Sequence, residues 1–456
     1  MKKQNRSMLE GPLLPSIIAY TIPIILTSLL QLLFNAADLV IVGRFCGSIS
    51  LAAVGATGSI TMLIVNLFIG LSVGAGVTVA HALGSREDEA VHRTVHTALP
   101  TAILGGLILT VIGILLSEPL LTMMATPENI LPLSAVYMKI YFGGMTFNMV
   151  YNFSASILRA AGDTKSPLIY LTLAGVVNVV LNVIFVTQLH MNVAGVALAT
   201  AISQGVSAVL VTLALMRRTD ACRLDLKKMR FYKLPLLKII RIGLPAGIQG
   251  SLFSISNVMI QSSVNSFGDI FMSGNAASGN VEGFVYVALN AFHQTAVNFT
   301  GQNAGARQYK RVFKTLWICL ACVVVVGLSL GSLAYFFGPQ LLSIYITDSP
   351  EAISYGMIRM GFIALPYFLC GLMDVSTGAL RGMGASLSPM IISVLGVCGL
   401  RIGWLATIFK TYHTPQCLYL SYPVSWTITF LIQMAAFILV YRKQTAQLSQ
   451  PLSKEV

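Results

Sequence analysis

Asp38 lies in the stretch FNAADLVIVG (34–43), and between Glu10 and Asp38 the chain carries no Asp, Glu, Lys or Arg. An ionised acid at the centre of such an apolar helix costs about 2.5–3.5 kcal/mol on insertion scales and by default marks a functional site. Gln31 and Asn35 precede it by seven and three residues, so one helical face carries all three polar groups. Farther on, Asn178 and Asn182 stand four residues apart in LAGVVNVVLNVIF, and Thr200 falls in GVALATAIS. One carboxylate, two carboxamides and a hydroxyl are hard oxygen donors that suit a small hard cation; alternatively, the amides tune the acid for proton binding. As interhelical glue alone, Asn and Thr contribute less than about 2 kcal/mol each. Arg44 is the nearest base, but six residues at about 100° each set it roughly 120° round the helix from Asp38, where the two do not stack as an i,i+4 pair would.

The elements that carry these groups follow from composition. Of 456 residues, 55% are hydrophobic and only 10% charged, and the mean hydropathy is +0.79, against about 25% charged residues in a soluble domain. Apolar runs long enough to cross a bilayer, about 20 residues each, recur near 14–36, 52–80, 95–117, 134–158, 167–188 and 194–216, then near 238–264, 272–300, 315–338, 353–379, 389–409 and 418–441. The expected fold is an all-α integral membrane protein of twelve transmembrane helices. Barrel strands would be shorter and would alternate, which these runs do not.

The net charge of +13 sits mostly in connections on one face. Arg217, Arg218, Arg223, Lys227, Lys228, Arg230, Lys233, Lys238 and Arg241 crowd the central connection, and Arg86, Arg93, Arg159, Lys165, Arg307, Lys310, Arg311, Lys314 and Arg381 fall on the same side. The opposite loops carry few bases beyond Arg44 and Lys410. The positive-inside rule therefore puts both termini in the cytoplasm of a multi-pass cell (inner) membrane protein, and the charge serves topology and anionic lipid rather than nucleic acid. The basic start, MKKQNR, precedes an apolar run too long for a cleaved signal, so it is expected to be retained. Seven scattered cysteines form no disulfide framework; Cys319 and Cys322 have CxxC spacing but lie in WICLACVVVV, where they read as packing. His92 and His96 are an i,i+4 pair with no third metal ligand nearby.

The chain is written twice. SILRAAGDTKSP (156–167) and GALRGMGASLSP (378–389) align Arg159, Gly162 and Pro167 with Arg381, Gly384 and Pro389 at an offset of 222, and Pro23 matches Pro245 at the same offset. ALGSREDEAVHR (82–93) and NAGARQYKRVFK (303–314) repeat at 221. The expected organisation is an amino-terminal six-helix lobe over 1–216, a basic cytoplasmic linker over 217–237, a carboxy-terminal six-helix lobe over 238–441 and a cytoplasmic tail over 442–456. With six helices each, the halves are parallel repeats that would bind substrate in a central cleft and rock to open on alternate sides.

The second half has polar stripes of its own: Asn257, Gln261 and Asn265 in the seventh span, and Asn290, Gln294, Asn298 and Gln302 in the eighth. CGLMDVSTGALRG places a second intramembrane acid, Asp374, where the first half has Asn152. Arg381 follows it by seven residues, about 10 Å along a helix. Nineteen Met, twenty-two Phe and sixteen Tyr supply adaptable surface. Gln31, Asn35, Tyr137, Asn152, Phe153, Met259, Gln261, Tyr286, Phe292 and Gln294 are candidates to line the cleft, the apolar and aromatic ones holding bulky organic cations through dispersion and cation–π contacts.

With NAADLVIVGR, LRAAGDTKSP and its repeat LRGMGASLSP, NVVLN and DVSTGALRG, the chain resembles the multidrug and toxic compound extrusion (MATE) family over nearly its whole length. The resemblance implies a cation-coupled antiporter that expels organic cations in exchange for sodium or protons. It further implies that Asp38, Asn178, Asn182 and Thr200 form the cation site of the amino-terminal lobe, with Asp374 a possible coupling acid in the other. Members that use that acid also place a Glu in the seventh helix beyond the proline matching Pro245, where this chain reads SISN (254–257). Coupling is accordingly expected at Asp38. The alternative is a lipid-linked oligosaccharide flippase of the same superfamily, which would want a cationic cleft, whereas the intramembrane charges noted here are mostly acidic. An enzyme would need a nucleophile or metal constellation, and a primary pump a GxxxxGK[ST] loop, neither of which the sequence contains. No cofactor is expected beyond the coupling ion, H+ or Na+, no metal beyond Na+ at Asp38, and the chain is expected to act as a monomer.

Overall fold

The computed structural model describes residues 8–449, apart from Ala125, Asp348 and the side chains of Ser59, Leu448 and Ser449. The basic start and the end of the expected tail, 450–456, lie outside the described residues. Described residues are helical almost throughout, as apolar chain in a bilayer must be when no water can pair its backbone. The helices are α1 (Leu13–Phe45), α2 (Ser48–Gly84), α3 (Asp88–Met123), α4 (Leu131–Gly143), α5 (Met145–Ala160), α6 (Lys165–Val183) and α7 (Asn192–Met216), then α8 (Lys233–Asn265), α9 (Asp269–Gly305), α10 (Tyr309–Phe336), α11 (Gly338–Ser343), α12 (Pro350–Phe362), α13 (Tyr367–Gly382), α14 (Leu387–Ser393), α15 (Leu400–Trp404) and α16 (Pro415–Ser449).

Among the described residues nine helices are long and apolar enough to cross a membrane, and α12 with α13, bent by 45° at their break, makes a tenth. The other two of the twelve expected spans fall short for separate reasons. α4 and α5 divide 131–160 into pieces of 13 and 16 residues. α9 is 37 residues long, but Asn275, Glu282, Asn290, Gln294, Asn298 and Gln302 dilute its apolar surface.

The chain forms two compact units, one of Ile22–Ser251 and one joining residues 8–21 to 252–449. α1 and α8 each contribute to both. In the first unit the core gathers Val79, Val95, Leu99, Leu109, Met138, Phe142, Met149, Phe153 and Ile157 from α2 to α5. A seam without side chains joins α2 to the first part of α8: a Cβ on Gly70, Gly74, Gly243 or Gly247 would collide with the opposing backbone. Such small-residue crossings let helices in lipid approach closely enough to gain dispersion contact.

The duplication is visible in backbone angles. Gly162 and Gly384 take φ 89° and 83°, and Gly47 and Gly268 take φ 86° and 92° just before α2 and α9. After α5, the Gly162 N–H donates to the Arg159 carbonyl and the Asp163 N–H to that of Leu158; after α13, Gly384 and Ala385 donate likewise to Arg381 and Leu380. These paired bonds are a Schellman closure, whose left-handed residue glycine adopts without strain. Among the described residues, π-helical turns at Ile184–Gln188 and Leu405–Phe409 also repeat, with a further one at Val394–Gly399.

The central basic connection is tied to the start of α3. Asp225 N–H donates to His96 Nε2 at 3.0 Å and Tyr232 N–H to Thr97 Oγ1 at 3.2 Å. His96 Nδ1 is 2.7 Å from the His92 carbonyl oxygen, so this pair has a structural use, and no group of three or more metal-type ligands occurs among the described residues. In the same connection burial pushes the Cys222 thiol up to about 12, which keeps it protonated and inert.

Candidate functional site

Three helices of the first unit bring Asp38, Asn178, Asn182 and Thr200 together. Asp38 projects from α1; the two asparagines share one face of α6 because four residues make about one turn; Thr200 comes from α7. Asn182 Nδ2 donates to Asp38 Oδ1 at 2.5 Å and to Asn178 Oδ1 at 3.2 Å. Thr200 Oγ1 lies 3.3 Å from Asp38 Oδ2 but 3.0 Å from the Val196 carbonyl oxygen. A hydroxyl has a single proton to give, so the shorter bond to Val196 leaves Oδ2 weakly held. Asn178 Nδ2 completes the ring, 3.4 Å from Thr200 Oγ1.

Charge balance decides what this arrangement can do. Asp38 makes no ion pair among the described residues, Arg44 included. The second acceptor of the site, Asn182 Oδ1, is fully buried and has no hydrogen-bond partner. A carboxylate oxygen held by one amide, a second held loosely and an orphaned amide oxygen form an acceptor-rich cluster with no built-in positive charge. A proton or a small cation supplies what is missing. The π turn at 184–188 begins two residues after Asn182; such turns widen a helix locally and occur often at functional sites.

The cluster opens into a cavity of about 640 Å³ whose lining includes Gln31, Asn35, Asp38, Tyr137, Asn148, Asn152, Thr200 and Gln204. That volume is in the range of small-molecule sites. Four first-half cleft candidates, Gln31, Asn35, Tyr137 and Asn152, line it together. Phe153 does not, being wholly buried in the α2–α5 core; helical periodicity cannot tell which buried face a Phe will take.

Second-unit candidates are spread along two helices. Tyr286, Asn290 and Gln294 form a hydrogen-bonded ladder up α9, with contacts of 3.4 and 3.3 Å. Met259 and Gln261 are exposed on α8, and Phe292 is buried. Asp374 accepts a 2.6 Å contact from His293 Nδ1 through its backbone carbonyl, while its Oδ2 has no hydrogen-bond partner.

The inventory of intramembrane charge needs correction. Besides Arg381, the second unit holds Glu282 of α9, Arg359 of α12 and Arg401 of α15 inside its helices, so its internal charge is not mostly acidic. Arg359 Nη2 meets Glu282 Oε2 at 2.7 Å, Nε meets Oε1 at 3.0 Å, and Nη1 donates to Asn275 Oδ1 at 2.5 Å. Tyr419 OH, 2.9 Å from that same Asn275 oxygen, closes the network. GNVEGFVY, YGMIRMGF and GLRIGW each hold one charge in an apolar frame; that signal could have flagged all three residues, as it flagged Asp38.

Helices long and apolar enough to cross a membrane, with a polar cluster opening on a ligand-sized cavity, define a polytopic membrane protein with a small-molecule site. The MatE family model matches residues 23–184 and 245–405, one stretch in each half, and the chain belongs to that family. It is 26% identical over 435 residues to the probable multidrug resistance protein YoeA of Bacillus subtilis, covering 93% of each chain. It is also 28% identical to that organism's probable multidrug resistance protein YpnP, covering 95% of this chain and 96% of the relative. Its fold matches that of a solved outward-facing multidrug resistance MATE transporter with a TM-score of 0.90 at 20% identity, over 97% of this chain and 99% of the other.

Proposed function

We propose that this protein is a secondary antiporter that exports organic cations across the cytoplasmic membrane, driven by a proton or sodium ion that binds at Asp38. The observation that carries the reading is an uncompensated carboxylate, ringed by Asn178, Asn182 and Thr200, at the wall of a cavity lined by amides and tyrosines. A cation drives export only if it binds one conformation better than the other. Neutralising Asp38 removes the charge its amide neighbours are arranged around, so occupancy and the conformation of α1, α6 and α7 are linked. Asn178, Asn182 and Thr200 hold the ion with Asp38; Gln31, Asn35, Tyr137 and Asn152 meet the cargo; Asp374 stands as a second coupling acid. In this reading the protein works as a monomer with both termini in the cytoplasm. Relatives named for multidrug resistance support export of small molecules over the flippase alternative.

The test is export of a fluorescent organic cation from proteoliposomes under an imposed pH gradient and, separately, an imposed sodium gradient. Asp38→Asn abolishes gradient-driven export while the protein still folds. Wild-type rates in that variant refute the reading.

A further inference from the structure

Arg401 is 4% exposed, stays protonated at any physiological pH and makes no ion pair among the described residues. The contrast with Arg359 is direct, since that guanidinium is forked onto Glu282. Arg401 Nε donates to Ser425 Oγ at 2.9 Å, whereas Nη2 is fully buried without a hydrogen-bond partner. A buried charge with open donors is costly unless something meets it. What meets it here is aromatic: the guanidinium carbon lies 4.0 Å from the ring centroid of Tyr422 and 5.6 Å from that of Trp426.

These rings continue outward. Trp426 stacks on Tyr367 at 5.4 Å and 25°, and Tyr367 on Tyr286 at 6.1 Å and 28°. Tyr286 is 38% exposed, and Tyr367 and Tyr422 are half-buried. The ladder therefore runs from an open rung to a cation. Its surroundings are built to yield: Tyr367 is the first residue of α13 after the bent break, and π turns flank Arg401 on both sides. π turns and helix breaks are where a helical frame rearranges most readily.

We infer that Arg401, Tyr367, Tyr422 and Trp426 form a second binding site, for a planar aromatic compound that carries a carboxylate. The ring packs among the aromatic side chains beside the guanidinium, and the carboxylate accepts from the open Nη2. A charge-assisted bond of that kind is among the stronger polar contacts a protein makes. A cation-only cargo gains nothing from Arg401, so the site extends the transporter reading to acids and zwitterions. It rests on that reading only for what the bound compound is used for.

Equilibrium dialysis of the purified full chain, without any ion gradient, tests the site with 2-naphthoate and its neutral isostere 2-naphthamide. Wild type is expected to bind naphthoate at least about tenfold tighter than the amide, the strength of one bond to a charged group. Arg401→Met abolishes that preference yet still binds the amide, which reports a folded site, and Arg401→Lys restores part of the preference. Trp426→Leu weakens both compounds alike. Absence of naphthoate binding, no preference in wild type, or a preference that survives Arg401→Met overturns the inference. None of these outcomes depends on whether Asp38 couples transport to an ion.

Discussion

The two units share a frame and differ in what fills it. At the offset of 222 that aligns Pro23 with Pro245, Asp38, Asn178, Asn182 and Thr200 correspond to Ile260, Leu400, Trp404 and Tyr422. Both sets precede or flank the same π turn, at 184–188 and 405–409. In the first unit the positions converge as an acceptor-rich cluster beside a cavity. In the second, Ile260 packs with Val397 and Trp426 in an apolar cluster, and Trp404 Nε1 donates to the Cys417 carbonyl at 3.0 Å. The fixed charge nearby is a base, Arg401. The helical frame thus specifies where a site can be; the side chains alone decide its sign.

Four substitutions probe that asymmetry. Glu282→Gln strands the Arg359 charge among Asn275 and Tyr419, and is expected to cost about 3–5 kcal/mol; thermal unfolding of the purified protein reads it, and an unchanged midpoint shows that the network is not holding α9, α12 and α16. Ile260→Asp places a carboxyl at the position matching Asp38 but gives it none of the donors, and should lower stability by about 3 kcal/mol in the same assay. Were it tolerated as Asp38 is, the second unit would have donors not seen in its apolar cluster. Asn182→Ala removes the 2.5 Å bond to Asp38 and the orphaned oxygen together. If Asp38 holds the coupling ion as proposed, the expected result is a loss of about 10–100-fold in its affinity, judged from the cation concentration that half-activates export. Thr200→Val should be mildest, about 1 kcal/mol or fivefold in the same measurement, because the hydroxyl is committed chiefly to Val196. An effect as large as that of Asn182→Ala would mean that Thr200 turns to the ion.

Much of this was legible in the chain itself, because a bilayer allows so few solutions. Twelve apolar runs, the doubled LRxxG loop and a lone acid in α1 each follow from costs large enough to dominate their surroundings. The asparagines of α6 were legible by spacing, since four residues return to one face. What was hidden depends on small differences. The break after Gly143 and the π turns shift a single backbone bond within a helix, and no residue type demands them. Phe153 and Phe292 stand beside polar residues, Asn152 and His293, but a helix packed within a bundle carries apolar residues on more than one face, so the polar stripe could not aim them. Glu282, Arg359 and Arg401 were legible as single charges in apolar frames, but their partners were not: Glu282 and Arg359, 77 residues apart, neutralise each other only through tertiary contact, and Arg401 is sheltered by Tyr422 and Trp426 from the next helix.

The glycine seam of Gly70 and Gly74 against Gly243 and Gly247 carries a consequence for how such a protein can change over time. Where two main chains touch directly, no neighbouring side chain exists that could shrink to accommodate a larger residue. A methyl group gained on either strip must move a whole helix, at about 1–3 kcal/mol or more. This part of the molecule therefore drifts only by keeping all four positions small at once, while the cavity beside it remains free to vary one residue at a time.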